Sequence, residues 1–544
     1  MNKKTTIFLI LLLLGTAYFV LFIFPNSTGA RDLNMTYIFN SDEPAQYPAV
    51  IRMLTPVASF SQSLYRLFAY QIYFYGFPYY FYSAVLVLLP VKLIFGLGNL
   101  SLNMLVLRQF VSVLPMIAAV LILVYLQTKF ESYLKSILLF LLLLLIPEIV
   151  SNDLWFHPES LVFLFIVLTF FFLVRDNLRF GRNFYLSALF CGLAVATKQV
   201  GLFFFIAIPL YIFLGWRQKN IDTRRSIFVA AGFVAIMAAT FVLANPFLFW
   251  ESERRLALQT QINLHQHMST GFVVLYRNGP LDWLRVVSEQ YSLLPFLLLA
   301  VAAAVIGSIR GERRLLNLLI LAWALPFSIY IAVALSIHPG HFPLPILMPL
   351  YSALPAYFIA FAPTRFARPL GDYLRKYGVK LFLFLVGAVI VGWQFLYSLN
   401  IDVPRYFNTL NREKDNASLN FYAALEQNDL SRVELSRPLV VFRDVAMYVP
   451  NAANDTVYYQ WGVSGYNYIH KVNADLLMLS KQHLRDYTQP GQLETAVDPN
   501  FPDARQFYQD ALAGKVQGYT LIYQDDFGMA YISTALYEEF LQSH

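Results

Sequence analysis

Two carboxylates, Asp42 and Glu43, stand side by side in the stretch SDEPAQYPAVIRML. Ser41 and the acidic pair precede an apolar periodic run, the order of residues that opens a helix. A carboxylate at that end of a helix is favoured as its anion by the helix dipole. Such a group suits a general base or a ligand for a cation. The plainer reading is a solvated surface pair.

A second acidic stretch, NDLWFHPES (152–160), holds Asp153, His157 and Glu159. Asp153 and His157 are four apart, a spacing at which helical side chains can share a metal. Pro158 biases His157 away from helix. These three are the candidate ligands for a divalent cation, Mg, Mn or Zn. In GLAVATKQVGLFF (192–204) Lys198 sits between two apolar runs. Its ammonium there either snorkels to the interface or receives a phosphate.

Two further stretches carry basic groups. ANPFLFWESERRLALQTQINLHQHMSTG (244–271) contains Arg254, Arg255, His265 and His267. The histidines are two apart and would not share a helix face, which argues against a zinc pair. A basic loop that meets phosphate or an anionic acceptor fits better. SIHPGHFPLPILMPLY (336–351) places His338 and His341 at the mouth of an apolar run. Its prolines prevent a regular helix before about Ile346. The histidines are either part of a capped turn or donors to a substrate phosphate.

The elements that must hold these residues are membrane helices. Of 544 residues 58% are hydrophobic and 13% charged, and the mean hydropathy is +0.53. A soluble domain is about half apolar, so the excess must face lipid. One cysteine, Cys191, excludes an intrachain disulfide and a Cys-rich metal site. The net charge of +7 could suggest nucleic acid. The basic residues, however, cluster in short connections between apolar runs, where they set orientation.

A span needs roughly 20 apolar residues. Candidates lie near 7–24, 104–126, 134–150, 159–175, 184–197, 199–215, 226–246, 290–308, 314–336, 342–361 and 379–398. The first follows Asn2-Lys3-Lys4 and ends without a small-x-small cleavage site, so it reads as an uncleaved span with a cytoplasmic N-terminus. The connections at 175–182, 216–225, 309–314 and 364–380 are basic, hence cytoplasmic. The segments 247–289 and 337–342 and everything after about residue 399 then lie outside. An apolar segment at 79–98 would upset this order if it crossed. It reads as a juxtamembrane or re-entrant helix interrupted by Pro90.

The expected architecture is therefore an α-helical polytopic membrane protein of the plasma (inner) membrane. It has about eleven crossings plus juxtamembrane helices over 1–399 and a small extracytoplasmic α/β domain over 400–544. In that domain PLVVFRDVAMYVP and YTLIYQDDFG read as strands. ADLLMLSKQHLRDY and ARQFYQDALAG read as helices. No Walker loop, G-x-G-x-x-G, H-E-x-x-H or G-x-S-x-G elbow is present. The candidate chemistry falls on the outer side, where no nucleotide supply exists, so the activated substrate must arrive through the membrane.

The ordered motifs resemble a family. DEPAQYPAVIRML is similar to the D-E-x-x-Y-a-x-x-a-r-x-M signature in the first outer loop of the C-type superfamily of lipid-phosphate-sugar-dependent glycosyltransferases. That superfamily includes the family 39 protein O-mannosyltransferases and the lipid A aminoarabinose transferases. FPYYFYSAVLVLLPVKLIFGLGNLSLNMLVLRQFVSVL resembles their P-x-Y-Y…l-F-G…R-x-x-S-x-l stretch, and GLAVATKQVGLF their g-L-a-x-x-T-K-x-x-G-l. NDLWFHPESL falls where they have a second acidic outer loop. HPGHFPLPILMPLY falls where R-Y-x-L-P-x-x-P is frequent, with His341-Phe342 replacing Arg-Tyr. The likeness covers about residues 1–400.

What the resemblance implies is an inverting transfer of a sugar from a polyprenyl-phosphate carrier to an acceptor hydroxyl. Asp42 would be the general base, with Glu43 placing it. Lys198 and a basic residue of the long outer segment would bind the donor phosphate. Asp153 with His157 or Glu159 would line the site or hold a divalent cation. The acceptor would be a glycan, lipid or protein. A transporter or flippase of lipid-linked sugars is the alternative, and it would need ionisable residues in mid-span. A membrane acyltransferase would want a histidine buried in a span, and a mere anchor would not need so many passes.

Overall fold

The computed structural model describes residues 2–276, 278–362, 370–414, 416–428, 430, 438–451, 456–459 and 463–543. Among them, eight helices are long and apolar enough to cross a membrane. A ninth span arises if the Asp282–Gln290 and Leu294–Arg310 helices, bent by 99°, count as one. The chain is a multi-pass membrane protein. The spans expected at 134–150, 159–175 and 184–197 are helices as well, over Tyr133–Leu144, Glu159–Asp176 and Arg182–Thr197. The first and third are short for a crossing, and the second carries Glu159, Arg175 and Asp176 at its ends.

α1 (Lys3–Asn26) opens the bundle, capped by the Asn2 side chain. Two short helices follow, α2 (Leu33–Phe39) and α3 (Asp42–Leu54). The segment expected to break at Pro90 is instead one helix, Phe77–Phe95. It widens to π geometry over Tyr82–Leu88 just ahead of the proline, which removes the i→i−4 bond that the ring would otherwise block. It packs against α3 and against the helix beginning at Leu100. Lys92 donates to the Leu54 carbonyl at 2.6 Å. These partners place it beside the first loop.

The Leu100–Thr128 helix carries a second π segment, Arg108–Val113. Bulges of this kind turn side chains off the regular helical path. Here the side chain turned inward is Arg108, which is fully buried. The segment 247–289, read as an outer loop, contains the Glu251–Thr270 helix. The last helix of the bundle runs from Leu370 to Leu410, so the domain division drawn at 399/400 falls inside it. Of the basic connection at 364–380, residues 364–369 lie outside the described residues.

Among its described residues the C-terminal domain has a five-stranded sheet of order β2-β1-β3-β5-β4. β1 (Val440–Arg443) pairs in parallel with β2 (Thr456–Tyr459) and β3 (Leu476–Ser480). β5 (Gly528–Ser533) runs antiparallel to β3 and to β4 (Tyr519–Gln524). The stretch 474–487, expected as one helix, splits into β3 and a helix over Lys481–Thr488. All five residues of β3 are buried. A central strand covered on both faces reads as a plain apolar run, which periodicity cannot separate from a buried helix.

Candidate active site

Asp42 is the first residue of α3. Ser41 does not cap this helix with its side chain; Asn40 does, its Oδ1 accepting the Asp42 N–H at 2.9 Å. The Asp42 carboxylate remains 37% exposed and lies 3.9 Å from His157 Nε2. Burial pushes the carboxyl above its ordinary range; the Lys198 charge opposes this and Glu43 reinforces it. The direction is opposite to that expected from the helix dipole, and its largest cause is loss of water around the carboxyl.

Glu43, the neighbour, faces the other way. It is fully buried and meets Arg108 bidentately, Oε1 to Nε at 2.7 Å and Oε2 to Nη2 at 2.5 Å. Its Oε1 also accepts the Phe156 N–H at 2.8 Å. Arg108 Nη1 donates to the carbonyls of Asn26 and Thr28 at 2.9 and 2.8 Å. One ion pair thus ties the end of α1, the first loop, the π segment and the 153–158 turn together. The structure gives Glu43 a holding role for α3 and for the His157 loop.

That loop is not helical. The Pro147–Asn152 helix ends with Asp153 as its C-cap, so the four-residue spacing to His157 is not a helical one. Asp153 turns back into the bundle, where the Tyr18 hydroxyl donates to Oδ2 at 2.9 Å. It is therefore not among the residues that converge. His157 goes the other way, stacked on Trp155 at 4.1 Å between centroids with an 18° interplanar angle. Its Nε2 meets the Tyr75 hydroxyl at 2.8 Å. Its Nδ1 is buried and has no hydrogen-bond partner among the described residues. Burial, His341 and Lys198 all lower its pKa, so the ring is held neutral.

Glu159 opens the next helix and is 2% exposed. Lys198, the C-cap of the Arg182–Thr197 helix, pairs with Glu159 Oε1 and lies 4.6 Å over the Phe342 ring. His341 completes the group: its Nε2 is 3.7 Å from Glu159 Oε1, and its ring centroid is 4.7 Å from that of His157. His157, Glu159 and His341 each offer a ligand atom, all within 4.8 Å of one another.

Tyr75, which no sequence signal singled out, reaches His157 because of Gly76. The Gly76 N–H donates to the Thr197 carbonyl at 2.9 Å, and a Cβ here would collide with the Ala196 carbonyl oxygen. Gly76→Ala is expected to lower stability by about 1–3 kcal/mol, as overpacking does. Thermal unfolding of the purified variant measures it, and an unchanged transition would show that the 75–77 turn has room to move.

The remaining sequence candidates are elsewhere. Arg254 and Arg255 are exposed on the Glu251–Thr270 helix, Arg254 donating to the Leu248 carbonyl and Arg255 pairing with Glu251. The buried group of that turn is Glu253, which accepts the hydroxyls of Tyr65 and Tyr73. His265 and His267 lie on the same helix without converging on a common partner. His338 has both ring nitrogens engaged, by Asp282 Oδ2 at 2.9 Å and the Ile331 carbonyl at 3.0 Å. The structure thus brings Asp42, His157, Glu159, Lys198 and His341 together and leaves Asp153, Arg254, Arg255 and His338 outside. A lone charge within an apolar run was the signal that could have found Arg108.

No protein-family model matches the chain, and no curated protein sequence matches it. Solved structures do. ArnT from Cupriavidus metallidurans bound to undecaprenyl phosphate is similar at a TM-score of 0.52 with 11% identity, covering 96% of this chain and 98% of that one. The apo state of ArnT from Cupriavidus metallidurans gives 0.51 and 12% over the same shares. At such identity the likeness is one of fold, and it extends over nearly the whole of both chains. This chain has the fold seen in those two ArnT structures.

Proposed function

We propose that this chain transfers a sugar from a polyprenyl-phosphate carrier to an acceptor hydroxyl, with inversion, on the extracytoplasmic side of the membrane. The observation that supports this best is that a partly exposed carboxylate, Asp42, and a largely buried ammonium, Lys198, flank the same His157–Glu159–His341 cluster, Asp42 against His157 and Lys198 against Glu159. Asp42 accepts the proton of the acceptor hydroxyl as it attacks the anomeric carbon. Lys198 receives the negative charge that develops on the leaving phosphate. Both effects lower the barrier at the two ends of one displacement.

His157 is neutral, held by Tyr75 and Trp155, and it lines the site between these two groups. In the present geometry Lys198 is neutralised by Glu159. Donor phosphate competes with that carboxylate for the ammonium, so donor binding weakens if the ammonium is removed. Lys198→Ala should raise the donor KM and also lower kcat, since the ammonium meets more charge on the leaving phosphate than on the bound donor. An unchanged KM would remove Lys198 from the phosphate site.

An apolar cleft of about 570 Å³ begins at Gly201, three residues past Lys198, and is lined on to Trp216 and Thr223. The helix along it spans about 20 Å at 1.5 Å per residue. Its position and lining suit the prenyl chain. The ArnT structure cited above was bound to undecaprenyl phosphate, which agrees with a carrier of that class here. A flippase reading lacks a comparable support.

The residues also bear on a divalent cation. Two imidazoles and a carboxylate form a zinc-type donor set, and the orphaned His157 Nδ1 is free to accept a metal. The set that fits is His157, Glu159 and His341, with His341 in place of Asp153. A cation there would supply Lewis-acid stabilisation of the leaving phosphate. Metal analysis of the purified protein should find zinc or manganese that His341→Ala loses; protein fully active yet metal-free would set the cation aside.

The experiment that tests the reading uses membranes or purified protein with a radiolabelled polyprenyl-phosphate sugar. Chain-dependent release of polyprenyl phosphate with label in a glycan, lipid or protein is expected. Movement of intact donor between leaflets, without release, would replace the reading by transport.

A further inference from the structure

The C-terminal domain grips the first loop a few residues before Asp42. Arg443, the last residue of β1, is fully buried. Its Nη1 donates to the Met447 carbonyl at 2.9 Å, while Nε and Nη2 have no hydrogen-bond partner among the described residues. What the guanidinium meets is aromatic: its Cζ lies 5.1 Å from the centroid of Tyr37 in α2 and 5.3 Å from that of Tyr459 in β2. The two rings touch each other, centroids 4.1 Å apart, and the planar, weakly hydrated cation sits against both.

Neighbouring contacts act on the same segment. The Tyr448 hydroxyl donates to Asp32 Oδ2 at 2.7 Å, and Asp32 Oδ1 caps α2 through the Met35 N–H at 2.9 Å. Glu413 pairs with Arg31 at 2.6 Å. Arg412 donates to Thr28 and stacks 4.9 Å over Phe39, the last residue of α2. The next residue is Asn40, whose side chain caps α3 and fixes the Asp42 backbone. The hold on α2 therefore passes through one turn to the carboxylate.

We propose that Arg443 of the C-terminal domain is a positioning residue for sugar transfer, clamping Tyr37 so that α2 and Asn40 present Asp42 at the site. The inference rests on the reading of Asp42 as the base. Its logic is that of orientation: a misplacement of about 1 Å in a reacting group can cost about 10²-fold in rate. The donor phosphate is bound elsewhere, at Lys198, so its affinity should not follow.

The test compares wild type, Arg443→Met, Arg443→Lys, Tyr37→Leu and the Arg443→Met/Tyr37→Leu double variant in the transfer assay, with thermal unfolding in parallel. Expected is a fall of about 10²-fold in kcat for Arg443→Met at unchanged donor KM. Arg443→Lys should recover part of it, and the double variant should be no slower than either single one. A wild-type kcat in Arg443→Met, or losses that multiply in the double variant, would overturn the clamp. Should Arg443→Met not fold, Tyr37→Leu alone decides: normal kcat overturns the proposal, and reduced kcat at unchanged donor KM supports it. Wild-type protein that transfers no sugar, or an active Asp42→Asn, would instead bring down the site reading itself.

Discussion

Asp42→Asn is expected to slow sugar transfer by about 10²–10⁴-fold, the usual worth of a positioned general base. Donor KM should change little, because the amide keeps the shape of the side chain and the ammonium of Lys198 is untouched. Folding should also survive, since the group that ties the first loop to the bundle is Glu43 and not Asp42. The pH profile carries a second, signed expectation. Burial raises the Asp42 pKa and the nearby Lys198 charge lowers it. The base works when deprotonated, so activity rises as pH rises through that pKa, and the acid limb of kcat/KM lies above the ordinary carboxylate value of about 4. Lys198→Ala removes the lowering influence and should move the limb to higher pH. Movement to lower pH would contradict the placement of Lys198 beside Asp42.

Breaking the buried pair should have the largest effect on the fold. Glu43→Gln leaves Arg108 charged without its counter-ion in a fully buried place, and such losses cost about 3–5 kcal/mol. Arg108→Ala should be worse. It strands Glu43 and also the carbonyls of Asn26 and Thr28, which lose their donor. Yield in membranes and thermal unfolding after purification measure both. Near-normal stability in either variant would mean that water replaces the pair, and the view of Glu43 as a holding residue would fall.

The parts of the site legible in the sequence are those at junctions between apolar runs and punctuated loops. Asp42, His157, Glu159, Lys198 and His341 all stand at such junctions, and a polar group there is costly enough to need a reason. What local spacing does not reveal is which way a turn faces. Asp153 is one turn from His157 only on paper, because the helix stops at Asn152. Arg254 and Arg255 looked like phosphate donors, yet they lie on the wet face of a 20-residue helix. His338 is three residues from His341, and Asp282 draws it away.

The fold class followed from hydropathy, while the number of crossings did not follow as readily. Helices of 12, 18 and 16 residues over Tyr133–Leu144, Glu159–Asp176 and Arg182–Thr197 are apolar but short, or charged at their ends. The π segments at Tyr82–Leu88 and Arg108–Val113 have no sequence code of their own; they arise where Pro90 and Arg108 make demands on the helix. The clasp between the C-terminal domain and α2 joins residues some 400 positions apart, among them Tyr448 and Asp32 at a separation of 416. No periodicity reports such a contact.

The central claim is that donor phosphate sits between Lys198 and the Asp42 side of the site. A cryo-electron microscopy structure of the chain with polyprenyl phosphate tests it most directly. The phosphate is expected within about 3 Å of Lys198 Nζ, with the prenyl chain entering the cleft that begins at Gly201. A phosphate seated on Arg254 and Arg255, or at the opposite end of the bundle from Asp42, would contradict the account.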